Sequence, residues 1–452
     1  MKNNIIIIVI DALRARNLEC YGYNKPTSPN LNNLAENGVL FENAFSTTNA
    51  TDPSLISMFT GKYPMSSGIR NHGERMTETE KRMAMNLVTL PKILNRYGYV
   101  TLGVNWLGRW HKSGYHFYGI DYPWHYRLIK LISSFYHLKL LEIKYTTETA
   151  INLLRKYYNK KFFLYIHFWG THTPYSAPES YVNLFYRYHK GAEIDINIEN
   201  IFKIPFNSKW RTYLYNWLKE LPNIAYVLSQ YDAAIAFIDS QIGKIYQTLC
   251  DLGILDDTNI IVTADHGESL IEHGIYFDHH GLYDESIHVP LIFSGPLFPK
   301  KKRVSSLVQH VDIVPTLLDL LKIPFKKSFF DGFSLLPILE DNISEIRHFI
   351  ISEETYTENK IAIRTKKWKY IFSPSKKSAI CKYCNIIHGG IEELYNLDYD
   401  PEERYNLIEV YPLKAKELKE ILSAWLEKMK EKRGKLKLIE KIRRIKRQQF
   451  FG

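Results

Sequence analysis

Six consecutive aliphatic residues, Ile5-Ile6-Ile7-Ile8-Val9-Ile10, run straight into Asp11. A second such run, Ile260-Ile261-Val262-Thr263-Ala264, ends just as abruptly in Asp265-His266-Gly267-Glu268. Unbroken apolar runs of this length suit strands covered on both faces, as in a parallel sheet. A carboxylate at the mouth of a buried strand is expensive unless something cationic meets it. Two such strand ends, one with a histidine beside it, point to a divalent metal shared at the carboxyl edge of a parallel sheet, where ligands gather in open α/β folds. The chain reads as a metal-dependent enzyme.

Strand-like and helix-like segments alternate through the first three quarters of the 452 residues. Strands are expected at 4–10, 99–104, 162–167, up to Asp265 and at 289–293. Helices are expected at 30–37, 90–97, 145–158, 226–252 and 311–321. This β/α alternation predicts a mainly parallel sheet sandwiched by helices. The catalytic α/β domain is assigned to residues 1–340, with a mixed aromatic and basic insertion at about 183–222 near the site entrance. Beyond it, short strand candidates at 348–351, 361–365, 368–373 and 393–396 precede a helix at about 412–431. They predict a small C-terminal α+β subdomain, 341–431, with an antiparallel sheet packed by that helix. Residues 432–452 form a basic tail.

The net charge of +11 is concentrated in that tail. From Lys428 onward, eleven lysines and arginines face only Glu431 and Glu440, which accounts for nine of the eleven charges. A basic nucleic-acid-binding body is therefore not indicated. Leu438, Ile442 and Ile445 recur at helical spacing in the tail. Peripheral contact with anionic lipid is one reading, and a solvated, frayed terminus is the other. No apolar stretch is long enough to cross a bilayer, and residues 5–10 are too short for a signal-peptide core, so the expected location is cytoplasmic. Cys381-Lys382-Tyr383-Cys384, with His388 nearby, has the first half of a zinc-site spacing without a second pair. Free thiols are expected at all four cysteines, ahead of a CxxC disulfide or a minor metal site.

Between the two metal-ligand candidates lies Asn49-Ala50-Thr51-Asp52-Pro53-Ser54-Leu55. Pro53 suits the opening of a helix that runs to Gly61. Thr51 then sits by a helix N-terminus, where backbone N–H groups favour an anion, although Thr, Ser and Asp in such places are usually caps. Here the chain resembles the sulfatase family of the alkaline-phosphatase superfamily. The resemblance runs through the Asp11 strand end, Ser28-Pro29-Asn30-Leu31, Gly38 to Ala44 and Thr51-Asp52-Pro53-Ser54. It continues through Thr60-Gly61-Lys62-Tyr63-Pro64, His172-Thr173-Pro174-Tyr175 and Tyr231 to Asp239. The last matches are Asp265 to Glu268, Glu272-His273-Gly274, His279 to Glu285, Val289-Pro290-Leu291, Glu393 to Leu397, Asp400 to Glu403 and Asn406-Leu407.

The departures from the family pattern are more informative. Family members that cleave sulfate esters carry Cys or Ser, converted to formylglycine, where this chain has Thr51, and usually Arg where it has Leu55. Threonine cannot become formylglycine. The family's calcium site pairs two acidic residues after the first strand with Asp-Asn after the later one, whereas here they are Asp11-Ala12 and Asp265-His266. Losing an oxygen ligand and gaining an imidazole favours zinc or manganese over calcium. One metal site is expected, held by Asp11, Asp265, His266 and the Thr51 oxygen. The set resembles that of superfamily phosphodiesterases and phosphoethanolamine transferases, in which threonine is the nucleophile.

The resemblance further implies His172 as proton donor to the leaving group and His280 as a substrate-oxygen contact. His273 and His279 are read as either a second metal site or outer support. Gly108-Arg109-Trp110-His111 resembles a family Gly-Lys-Trp-His segment, which would make Arg109 and His111 anion contacts, although Asn105-Trp106-Leu107 aligns there too. Asp232 and Asp239 are read as solvent-facing or structural. The leading expectation is a hydrolase of sulfate or phosphate esters through a covalent Thr51 intermediate, phosphorus favoured, acting on a small-molecule, glycan or lipid ester. The alternatives are a phosphoethanolamine- or phosphoglycerol-type transferase and an inactive sulfatase-like binding protein.

Overall fold

Alternation along the first strand determines how the two faces of the sheet are covered. In the computed structural model, which describes residues 2–107, 110–123, 135–189 and 196–451, Ile6, Ile8 and Ile10 pack with Leu164, Ile235, Ile238 and Ile242 in one apolar core. Ile5, Ile7 and Val9 pack with Leu55, Met58 and Leu317 in another. Successive strand side chains point to opposite faces, so an all-aliphatic strand needs a helical layer on each side. The long helix Ile224–Asp251 covers one face, and the helices Thr51–Thr60 and Ile313–Leu320 cover the other.

The sheet has eight strands: β1 (Asn4–Ile10), β2 (Gly38–Phe45), β3 (Val100–Val104), β4 (Phe117–Tyr118), β5 (Phe162–Phe168), β6 (Thr258–Thr263), β7 (Leu291–Ser294) and β8 (Lys302–Gln309). Their spatial order is β4-β3-β5-β1-β6-β7-β2-β8. Neighbours are parallel except at β7, which runs against both β6 and β2. The expected mainly parallel sheet therefore forms, with β2, β4 and β8 in addition to the strands anticipated. Register matters most at the centre, where Val9 pairs with His167 on one side and Thr263 on the other. That pairing sets the carboxyl ends of β1, β5 and β6 level and brings Asp11 beside Asp265.

The C-terminal part forms an antiparallel sheet of β9 (Ile350–Glu354), β10 (Lys360–Arg364), β11 (Trp368–Phe372) and β12 (Glu392–Asn396), ordered β12-β11-β10-β9. Helix Pro412–Phe451 packs Ala415, Leu418 and Leu422 on Ile351, Ile363, Tyr370 and Leu394. It continues without a break through the segment anticipated as a tail. Within it, Trp425 meets Tyr63 edge-on at 5.0 Å and Lys432 pairs with Asp331 at 2.7 Å, so this helix also lies against the α/β part. The 183–222 region contributes helices Glu179–His189, Ile198–Ile201 and Ser208–Leu218, and its Phe185, Leu214 and Leu218 are buried in the main core. Asp232 is buried among Lys25, His189 and Tyr23, and Asp239 accepts from the backbone N–H groups of Asn30 and Leu31. Both are structural rather than solvent-facing. Among the described residues no helix is long and apolar enough to cross a membrane.

A buried ion cluster ties the small sheet to the large one. Lys369, fully buried on β11, contacts Asp284 at 2.9 Å and Glu403 at 2.7 Å, while Arg364 of β10 reaches Asp284 at 3.0 Å. Removing one member of such a cluster leaves desolvated charge without compensation. Lys369→Met is expected to lower stability by about 3–5 kcal/mol, read as a reduced midpoint in urea unfolding. An unchanged midpoint would show that the cluster does not hold the two sheets together.

Candidate metal centre and nucleophile

Asp11 and Asp265 leave the sheet side by side and both are fully buried. Ala12 turns the chain with φ of 57°, and its N–H donates to Asp265 Oδ1 at 3.2 Å. The His266 N–H donates to the same oxygen at 2.9 Å. One carboxylate oxygen of Asp265 is thus held by backbone, while Oδ2 has no hydrogen-bond partner among the described residues, and neither has Asp11 Oδ1 or Oδ2. Burial, then the neighbouring Asp265, pushes the Asp11 carboxyl well above its ordinary range. Orphaned buried acceptors of this kind demand an explanation. A divalent cation supplies one, since it would satisfy all three oxygens and offset their mutual repulsion.

His266 completes the contact to the helix. Its Nδ1 lies 2.8 Å from the Gly267 carbonyl and donates there, which leaves the Nε2 lone pair facing inward. Burial lowers its pKa to about 4, so the ring is neutral, the form that binds metals. Nε2 lies 3.5 Å from Asp265 Oδ2, 3.7 Å from Asp11 Oδ1 and 3.4 Å from Thr51 Oγ1. Thr51 opens the helix Thr51–Thr60, two residues before Pro53, and Gly61 closes it in the left-handed conformation. The Ser54 hydroxyl donates to the Asp265 carbonyl at 2.6 Å, pinning that helix to the end of β6. Asp11, Thr51, Asp265 and His266 are therefore brought together.

A further imidazole, absent from the expected ligands, joins them. His167 of β5 places Nε2 3.9 Å from Asp11 Oδ2, and it too has no hydrogen-bond partner among the described residues. Donor atoms of Asp11, His167 and Asp265 all lie within 4.8 Å of one another. Tyr165 Oη lies 3.0 Å from His167 Nδ1. The Asn105 amide nitrogen shares Nδ1 at 3.0 Å, and the Nε2 lone pair is free for a cation in the tautomer whose Nδ1 proton goes to the Tyr165 hydroxyl. Two carboxylates with two imidazoles suit zinc or manganese better than calcium. The signal in the sequence was slight: one histidine in a buried aromatic strand, level with Asp11 only once the register is known.

The other anticipated residues divide. His172 lies in a half-buried turn whose carbonyls at 172, 173 and 174 all accept from the buried Lys139 ammonium. Burial, with Lys139 and His279 nearby, holds His172 well below the ordinary histidine range, and its Nδ1 lies 2.9 Å from the Thr173 carbonyl. Glu268 accepts from Thr173 Oγ1 and Tyr175 Oη, and burial raises its pKa to about 8. His279 lies over His266 with ring centroids 4.1 Å apart and faces the centre. His273 instead stacks on Tyr283 at 3.6 Å, and among the described residues neither His273 nor His279 belongs to a group of donor atoms close enough to share a metal. His111 grips Asp52 at 2.9 Å, with His72 on the other carboxylate oxygen at 3.0 Å. Burial works against Asp52 ionisation, yet these two hydrogen bonds hold its carboxyl far below the usual range. His280 turns toward His388, with 3.3 Å between their Nε2 atoms. Arg109 lies outside the described residues.

A buried carboxylate pair at a parallel-sheet edge, with imidazoles and a threonine at a helix start, defines a metallohydrolase-type centre. The sulfatase family profile matches residues 3–323, and the profile for the C-terminal part of N-sulphoglucosamine sulphohydrolase matches residues 271–433. The chain belongs to the sulfatase family of the alkaline-phosphatase superfamily. It is 26% identical to arylsulfatase K of Bos taurus, over 90% of this chain and 79% of that protein. It is 25% identical to an N-acetylglucosamine-6-O-sulfatase of Bacteroides thetaiotaomicron, over 95% and 87%. The fold is shared with phosphonate monoester hydrolase of Agrobacterium radiobacter, with a TM-score of 0.73 at 21% identity, covering 94% of this chain and 96% of that one.

If His167 is a ligand, His167→Ala should weaken zinc or manganese binding by at least ~10-fold, the lower bound for outer-shell changes at metal centres. Competition against a chromophoric chelator reads this directly. Affinity equal to wild type would remove His167 from the ligand set.

Proposed function

We propose that this protein hydrolyses sulfate or phosphate esters through a covalent intermediate on Thr51, with phosphorus esters preferred and zinc or manganese as the cofactor. The reading rests on one observation: Thr51 Oγ1 lies 3.4 Å from the same His266 nitrogen that lies within 3.7 Å of both strand-end carboxylates. Asp11, Asp265, His266 and His167 would hold the cation, which when bound lowers the pKa of a nearby hydroxyl and neutralises charge on the ester oxygens. The preference for phosphorus rests on the hydroxyl itself, since Thr51 lacks the formylglycine chemistry of sulfate-cleaving relatives. The names of the relatives, one of them an N-acetylglucosamine-6-O-sulfatase, support a glycan ester as substrate.

In the first half-reaction the Thr51 oxygen attacks phosphorus or sulfur in line, its O–H proton passes to solvent, and the bond from phosphorus or sulfur to the ester oxygen breaks. The N-terminus of helix Thr51–Thr60 directs its partial positive charge at the anionic group. His172 is neutral before substrate arrives, with Nδ1 committed to the Thr173 carbonyl. An anionic ester offsets the burial that keeps it neutral, so the protonated ring forms with substrate and delivers its proton to the departing oxygen. In the second half-reaction His172 Nε2 takes a proton from a water that attacks phosphorus or sulfur, the bond to the Thr51 oxygen breaks, and that oxygen regains a proton from solvent. Transfer to an alcohol in place of water shares the first half, and an added acceptor tests it: phosphoryl found only on water under those conditions excludes a transferase.

Thr51→Ala should reduce turnover by ~10³-fold or more, in line with deletion of other nucleophiles, and abolish the acid-stable adduct seen by intact mass. Full activity in that variant would refute the assignment. His172→Ala should cost ~10²–10⁴-fold on alkyl esters, the range for a lost general acid. It should cost far less on a nitrophenyl ester, whose leaving group needs no proton. Equal losses on both would assign His172 a structural role.

A further inference from the structure

The half-motif Cys381-x-x-Cys384 finds its second pair in space. Cys381, Cys384, His280 and His388 are all buried, and one donor atom from each lies within 4.8 Å of all the others. His280 reaches the cluster from the loop after Asp278, a hundred residues upstream in sequence. Both cysteines are free of disulfides.

The hydrogen bonds around the four residues orient each donor inward. His280 Nδ1 lies 2.9 Å from Asp278 Oδ2, and His388 Nδ1 lies 3.1 Å from the His273 carbonyl. A carbonyl oxygen and an ionised carboxylate only accept, so both rings carry their proton on Nδ1. Their Nε2 lone pairs then face each other at 3.3 Å, an arrangement that calls for a cation between them. Carboxylate or carbonyl partners on the far nitrogen are the usual support of metal-bound histidines. The loop itself folds back on the first cysteine. The Tyr383 N–H points at Cys381 Sγ at 3.3 Å, the Asn385 N–H donates to the Cys381 carbonyl, and Asn385 adopts φ of 56°. Trp210 stacks flat on Tyr383 at 4.8 Å and covers the outside.

We propose that His280, Cys381, Cys384 and His388 form a structural zinc site that fastens the Asp278–Leu282 loop to the C-terminal subdomain. Two thiolates and two imidazoles in a buried, closed set are the donors of structural tetrahedral zinc. With Zn–N near 2.0–2.1 Å, tetrahedral geometry puts two nitrogens about 3.3–3.4 Å apart, which matches the pair at 3.3 Å. Cys384 Sγ lies 3.0 Å from His388 Nε2, and a Zn–S bond near 2.3 Å would open that to about 3.6 Å. The site shares no residue with the Asp11–Asp265 centre. It bears on that centre through His279, which follows Asp278, precedes His280 and packs over His266. Under this reading His280 is a zinc ligand and not a contact to substrate.

Zinc K-edge absorption on the full-length protein, purified reduced and without chelator, separates this site from the other, because only this one contains sulfur. A sulfur shell near 2.3 Å beside a nitrogen shell near 2.0–2.1 Å is expected, together with zinc that a thiol-binding mercurial releases at one equivalent per two thiols. Cys381→Ser/Cys384→Ser should lose one equivalent of zinc and the sulfur shell. Asp11→Asn/Asp265→Asn should keep both, whatever becomes of Thr51 chemistry. Should the cysteine variant fail to fold, the absorption and mercurial measurements on the native chain still decide. A full count of freely titrating thiols with no sulfur shell, a Cys381–Cys384 disulfide found by mass, or a sulfur shell around a metal other than zinc would each overturn the proposal.

Discussion

Two buried carboxylates face each other at the end of a hydrophobic strand pair, and much of the molecule is arranged around that electrostatic problem. In a low-dielectric interior Asp11 cannot ionise comfortably beside Asp265. The sheet cannot relieve the strain by separating them, because Val9 is locked between His167 and Thr263 by register. The backbone N–H groups of Ala12 and His266 satisfy only one of the four oxygens. What remains is a donor set that favours a divalent cation. The neutral rings of His266 and His167, kept so by burial, belong to the same arrangement.

That arrangement explains why the chemistry sits on rigid elements. Thr51 begins a helix buried along its whole length, Ser54 fastens that helix to the Asp265 carbonyl, and Asp52 is held by two imidazoles beside the hydroxyl. A hydroxyl placed this way would lose little freedom on attacking a bound ester. The His172 turn is fixed just as firmly. One lysine ammonium binds three successive carbonyls there, and Tyr213, from the 183–222 region, donates to the middle one.

How much of this was legible depended on whether the signal was local. The β1 and β6 runs announced a doubly covered parallel sheet because six aliphatic residues leave no polar face. Strand β2 was hidden by Glu42 and Asn43, and β8 by the charged and polar residues of an edge strand that needs only one dry face. Thr51, Asp265 and His266 were readable from motif order. His167 was not, since nothing near it in sequence distinguishes a ligand from a core histidine. Lys139 lies in a segment with no clear period, and the three carbonyls it meets in the fold are far from it in sequence. Asp232 and Asp239 left two readings open, solvent-facing or structural. An aspartate on a long amphipathic helix ordinarily faces water, but here one closes an ion cluster and the other caps the N-terminus of helix Pro29–Glu36.

The pairing of His279 with His280 carries the same logic one step further. Adjacent residues in a loop point in roughly opposite directions, and this chain directs one imidazole to each of two polar clusters. His279 packs over His266 and is anchored by the Asn49 carbonyl at 2.5 Å, while Asn49 in turn donates to the carbonyls of His279 and Gly281. The Gly281 N–H donates to Glu354 at the end of β9. The loop is therefore held at once by the segment that leads into Thr51 and by the small sheet. Any movement of the C-terminal subdomain against the large sheet would have to pull on the residue that lies over the His266 imidazole. The small sheet is in this sense part of the wall of the candidate metal centre, although none of its strands supplies a residue to it.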